Sequence, residues 1–110
     1  MIPKKSRLFT DEVRRVFDGP EEVSSSDFFK TLIVFKDSGR ARFAVVVPKK
    51  TSPKAVKRNA LRRRAFSALS GFYTKTRPGL YVIIVKDRVI KLDALKISEE
   101  LQKLLISKKR

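Results

Sequence analysis

Apolar residues at Phe9, Val13, Val16 and Phe17 follow the i, i+4, i+7, i+8 spacing of one helix face. Thr10 stands where a cap is expected, and Asp11 and Glu12 fall in the first turn, where the helix dipole favours negative charge. Gly19-Pro20 ends the pattern, and PEEVSSSD at 20–27 reads as a polar connector. FFKTLIVF at 28–35 is β-branched and aromatic, so it predicts a strand. RFAVVV at 42–47 predicts a second, and with Asp37-Ser38-Gly39 as a turn the stretch 28–47 reads as a hairpin.

Pro48 closes that unit, and Pro53 suits the first turn of a helix running from 53 to about 70, with Gly71 at its stop. After the loop TRPG, LYVIIV at 80–85 predicts a strand whose apolar residues do not alternate, which implies burial on both faces. Asp93 is placed to cap a last helix with Ile97, Leu101, Leu104 and Leu105 as its apolar stripe. The order α-β-β-(β)-α-β-α implies an α+β single-domain sandwich over residues 1–110. Its expected centre is a mostly antiparallel sheet of three to four strands with helices packed on it and one βαβ crossover.

Charge changes this picture. Lys and Arg number 27 against 11 Asp and Glu, a net charge of +16. Such a surface repels itself unless a polyanion or counterions neutralise it, and nucleic acid and anionic membrane are the two usual partners. No apolar run approaches a membrane span of about 18 residues, and the N-terminus MIPKKSRLF has no apolar stretch behind its charges, so neither a membrane segment nor a secretory signal is expected. The chain has no Cys and no His, which excludes disulfides, zinc sites built on those residues, and His general-base chemistry.

The charge is concentrated. In KKTSPKAVKRNALRRR, residues 49–64, half the positions are Lys or Arg and none is acidic. On a helical wheel, Leu61, Ala65, Ala68 and Leu69 fall on one side; Arg58, Asn59, Arg62, Arg63 and Phe66 fall on the other, with Lys57 and Arg64 at the margin of the apolar side. Guanidinium forks bind phosphate oxygens bidentately, and Lys49, Lys50 and Lys54 gather at the helix start. A solvated helix face ordinarily mixes charges; an all-cationic face repels itself until phosphate relieves it. Phe66 on that face stacks on an RNA base or packs under the guanidiniums or the chain's own N-terminus.

The stretches RFAVVVPKK (42–50) and AVKRNALRRRAFSAL (55–69) resemble the protein subunit of bacterial ribonuclease P, with RLFTDEVRRVF (7–17) and GLYVIIVKD (79–87) in matching order. Ala60 departs from the family's Arg-Asn-Arg, and Val13 stands where a helix aromatic is often found. The resemblance implies a left-handed βαβ crossover, a bacterial cytoplasmic setting, and a catalytic RNA partner that removes the 5′ leader of precursor tRNA with Mg²⁺ held mainly by the RNA and substrate. This chain is then the accessory subunit, with no catalytic or metal-ligating residue of its own and neither a membrane nor a small-molecule substrate as partner.

Two surfaces follow. Lys49, Lys50, Lys54, Lys57, Arg58, Asn59, Arg62, Arg63 and Phe66 are the expected contacts to the RNA subunit. The leader needs a basic groove with flat platforms, for which Phe9, Phe17, Phe28, Lys30, Arg42 and Tyr81 are the candidates. Lys4, Lys5 and Arg7 either clamp phosphates at its mouth or form a solubilising tail. A ribosomal or other structural RNA-binding protein shares the charge but needs no such cleft. A DNA-binding module is the third reading, though the basic helix lacks the paired helix of a helix-turn-helix.

Overall fold

A computed structural model describes residues 7–37 and 39–105; Lys4, Lys5 and the C-terminal SKKR lie outside them. In chain order the elements are α1 (Thr10–Asp18), β1 (Glu22–Ser25), β2 (Phe29–Phe35), β3 (Ala41–Val46), α2 (Ala55–Leu69), β4 (Gly79–Val85) and α3 (Ala94–Leu105), with 3₁₀ turns at Tyr73–Lys75 and Asp87–Lys91. The four strands form one sheet in the order β1-β2-β4-β3.

Two expectations are corrected here. The stretch 20–27 is not merely a connector: β1 lies within it and pairs antiparallel with β2, Val23 opposite Leu32. Its polar side chains gave no apolar pattern; backbone pairing with an open sheet edge makes it a strand. A tight turn joins the two, with the Ser26 hydroxyl accepting the Phe28 and Phe29 N–H groups at 3.2 Å each.

The second correction concerns the hairpin. β2 and β3 are not neighbours, because β4 runs between them, antiparallel to β2 and parallel to β3. The most apolar strand takes the position where both edges and both faces are covered. The turn after β2 therefore spans two interstrand spacings, roughly 10 Å, and Gly39 at φ 95° supplies a left-handed residue in it. Gly79 is where β4 enters: a Cβ there would lie 2.8 Å from the Val34 carbonyl oxygen, so a side chain is not accommodated. The β3–α2–β4 connection is the expected crossover through the basic helix.

Each sheet face has its own core. Phe29, Ile33, Phe43, Val45, Tyr81, Ile83 and Val85 pack with Leu61, Ala65 and Leu69 of α2 and Ile97, Leu101 and Leu105 of α3. On the opposite face, Leu32, Leu80 and Val82 pack with Val16 of α1. α3 begins as expected, the Asp93 carboxylate accepting the Lys96 N–H at 2.9 Å. α1 does not: Phe9 holds the cap position, and the Glu12 carboxylate reaches back to the Phe9 N–H at 2.9 Å. Only the reciprocal half of a capping box exists, since a phenyl ring accepts no such bond.

Candidate nucleic-acid interface

α2 begins at Ala55, so Pro53 lies before the helix instead of in its first turn. Its buried residues are Leu61, Ala65, Phe66 and Leu69, with Ala68 only half-buried. Relative to the wheel laid out from sequence, the helix is rolled by about 35°. Phe66 is thereby removed from the arginine face. It is 8% exposed within the core, and the Arg7 guanidinium lies over its ring at 4.9 Å from the centroid. Phe66 is thus no platform for a base, and the chain's own N-terminal segment covers it.

The same roll redistributes the cations. Lys57, Asn59, Arg63 and Arg64 are exposed, so Arg64 is a full member of the outer face. Arg58 and Arg62 are half-buried. Arg58 Nη1 donates to the Ser52 and Pro53 carbonyls at 3.1 and 2.8 Å, tying the helix to the preceding loop. Arg62 Nη1 donates to Asn59 Oδ1 at 2.6 Å, which fixes one guanidinium beside the amide. Lys49, Lys50 and Lys54 are exposed at the helix entry. No acidic residue lies on α2 to neutralise this surface.

The second surface is the sheet face under α1. That helix packs on β4 and β2, leaving Val34, Ala44, Val46 and Ile84 half-buried on the same face. The result is an apolar floor. At one end Lys30 is exposed, in the row Lys30–Ile84–Val46. At the other end, in the row of Leu80 and Val34, stands Arg42. Phe9 at the cap of α1 and Phe17 in its last turn are 68% and 45% exposed, which makes both available as platforms.

Arg42 is already engaged. Its Nη1 meets Glu12 Oε2 at 2.5 Å, its Nη2 donates to the Arg7 carbonyl at 2.9 Å, and its guanidinium carbon lies 5.4 Å from the Phe9 ring centroid. Burial raises the affinity of Glu12 for a proton, but the Phe9 N–H and the Arg42 partner outweigh it, and the carboxyl is held below its ordinary range. The Leu8 N–H donates to the Phe43 carbonyl at 2.9 Å, so the N-terminal segment runs along the free edge of β3.

Two leader candidates are elsewhere. Tyr81 is 1% exposed on the opposite face, stacked 5.2 Å from Phe43, with its hydroxyl donating to the Arg77 carbonyl at 2.6 Å. Burial pushes its phenol up to about 12, against the opposing charge of Arg77. Alternation along β2 holds from Phe29 onward, but Phe28 sits in the turn before the strand and packs against the core on the α2 and α3 side.

The sequence reading missed one cation. Lys86 follows β4, and with Lys30 and Lys50 it lines a cavity of about 450 Å³ beside Ile84, with Asp87 as its one acid. Lys86 Nζ donates to Ser25 Oγ and the Ser26 carbonyl, both at 2.6 Å, leaving one of its three N–H groups free. The Thr51 hydroxyl donates to the Val85 carbonyl at 2.9 Å and holds the Lys49-Lys50 turn at the strand ends. Lys50 thus joins the Lys30 end of the cleft, although sequence grouped it with the arginine helix. Adjacency of Lys86 to the last apolar strand was the available signal.

Fold and site define a small basic α+β protein with an arginine-lined helix and an apolar cleft ended by cations. Comparison with known families is consistent with that: a profile of the Ribonuclease P family matches residues 2–109. The chain belongs to the Ribonuclease P family, as the protein subunit of the enzyme that processes precursor tRNA. Among solved structures, the RNase P protein from Thermotoga maritima is similar with a TM-score of 0.82 at 20% identity, covering 94% of this chain and 98% of that one. The RNase P protein from Staphylococcus aureus is similar with a TM-score of 0.75 at 16% identity, covering 89% of this chain and 90% of that one. At these identities the structural likeness establishes the fold. A search of curated protein sequences finds no match.

Proposed function

We propose that the outer face of α2, centred on Lys57, Asn59, Arg63 and Arg64, grips the RNA subunit of ribonuclease P, and that the cleft under α1 holds the single-stranded 5′ leader of precursor tRNA. The observation that carries this is the half-exposed floor of Val34, Ala44, Val46 and Ile84 between cationic ends. Unpaired bases lie on apolar and aromatic surface while their phosphates meet ammonium and guanidinium groups, without regard to sequence. A purely structural RNA-binding protein has no use for such a cleft, and family membership does not favour that reading.

Among the described residues no group of three or more Asp, Glu, His or Cys is placed to hold a metal ion. We assign the Mg²⁺ of the reaction to the RNA and the substrate, and no bond-breaking step to this chain. Its contribution is positioning: charge neutralisation draws the leader into register and strengthens substrate affinity. No helix among the described residues is long and apolar enough to cross a membrane.

Reconstitution tests this. The protein is added to the ribonuclease P RNA of the same genome at low Mg²⁺, and cleavage of precursor tRNA is followed. Stimulation that grows with leader length is expected. A protein that binds the RNA yet stimulates cleavage equally for one-nucleotide and long leaders would remove the cleft assignment.

A further inference from the structure

Between α2 and the 3₁₀ turn at Asp87–Lys91 lies a recess of about 220 Å³, lined by Ser52, Lys57, Ala60, Leu61, Arg64 and Ile90. It is separate from the cleft under α1, since α2 packs on the other sheet face. Its surroundings are unusually apolar for an arginine helix. Ile90 is 54% exposed, and Val56, one turn before Ala60, is 77% exposed. Ala60 stands where the Arg-Asn-Arg pattern has its second arginine; a side chain of that size would fill the space, and alanine leaves it open.

We infer that this recess receives one unpaired nucleobase of the ribonuclease P RNA, a reading that rests on the RNA-binding role proposed for α2. Charge selects the occupant. Lys57 and Arg64 stand two helical turns apart on the rim, about 10 Å along the axis, and among the described residues no carboxylate lines the recess. A second copy of this chain brings another +16 and is repelled. A nucleic-acid strand supplies both requirements at once: a flat base with an apolar face for Ala60, Leu61 and Ile90, and phosphates on either side for the two cations.

The chain has no cysteine, so Ile90→Cys carries a single thiol for an aryl-azide photo-crosslinker. Bound to the ribonuclease P RNA of the same genome, it is expected to cross-link to one unpaired nucleotide. Ala60→Leu fills the recess without altering charge, and is expected to weaken RNA binding about tenfold with the salt dependence unchanged. Lys57→Ala lowers the slope of log affinity against log salt by about one. The inference is overturned if the cross-link falls on paired nucleotides or on a second protein chain, or if Ala60→Leu binds as wild type does. If the wild-type protein fails to bind the RNA, the inference falls together with the α2 assignment, and that control separates the two failures.

Discussion

The guanidinium of Arg7 lies 4.9 Å from the centroid of the Phe66 ring. An aromatic inside an arginine helix thus serves the core, and Arg7, which covers it, also pairs with Phe43 at the edge of β3. The contact joins the first described residue to α2, so the approach to the cleft and the RNA-binding helix share one anchor.

Phe66→Ala is therefore expected to act on stability. Truncating a buried Phe costs roughly 3–5 kcal/mol, a large share of the roughly 5–15 kcal/mol that keeps such a domain folded. Arg7→Ala removes a cation–π contact worth roughly 0.5–1 kcal/mol. Denaturant unfolding of both single variants and the double variant measures the coupling. An unchanged unfolding midpoint in Phe66→Ala would show that the ring is not packed.

The arginines of α2 divide by exposure. Arg63→Ala and Arg64→Ala leave stability within about 0.5 kcal/mol and reduce the salt slope of RNA binding by about one each. Arg58→Ala behaves differently, because its guanidinium ties the Ser52 and Pro53 carbonyls. It is expected to lower stability by about 1 kcal/mol as well as weakening RNA binding. Filter binding at several salt concentrations, paired with thermal melts, separates the two classes.

Glu12 gives the N-terminal half a pH dependence of known sign. Its carboxyl is lowered from the ordinary value of 4.5 by the Phe9 N–H and Arg42, in spite of burial. A lowered folded-state value means the unfolded chain takes the proton first. The stabilisation is then present above about pH 4.5 and is lost as pH falls through the lower folded-state value. Glu12→Gln removes that segment of the pH–stability curve. The two proteins are expected to differ by about 1 kcal/mol or less near neutrality, as for partly exposed ion pairs, and to converge in acid. Parallel curves down to strong acid would remove Glu12 from this role.

What sequence made legible was what periodicity and caps carry. The non-alternating apolar run of β4 announced burial on both faces, and Tyr81, Ile83 and Val85 on one side with Leu80 and Val82 on the other bear it out. Asp93 capped α3 as its spacing requires. The failures came where partners, not patterns, decide. β1 has no apolar alternation and exists because β2 offers an open edge. The hairpin was misread because local turn chemistry carries no information about a later strand that inserts between two earlier ones. Phe66 and Tyr81 were misplaced for a related reason. A wheel fixes which residues share a face, but the packed neighbours choose its rotation, and Tyr81 alternates onto whichever side its strand's position dictates.

The cleft yields the last expectation. Lys30 is exposed at the end of the apolar floor, and Lys50 and Lys86 meet it around one cavity. Phe17 projects at 45% exposure from the helix that roofs the same face, so its truncation costs the fold little. Lys30→Ala is expected to lower holoenzyme affinity for precursor tRNA while leaving affinity for mature tRNA unchanged, because only the precursor carries a leader. Its precursor binding should lose about one unit of salt slope. Phe17→Ala should weaken precursor binding by roughly 1–3 kcal/mol, with little change in salt slope, since a stacked base carries no charge. Lys86→Ala has a smaller effect than Lys30→Ala, because Ser25 and the Ser26 carbonyl already hold two of its three donors. Equal losses for precursor and mature tRNA in all three variants would move the leader off this face.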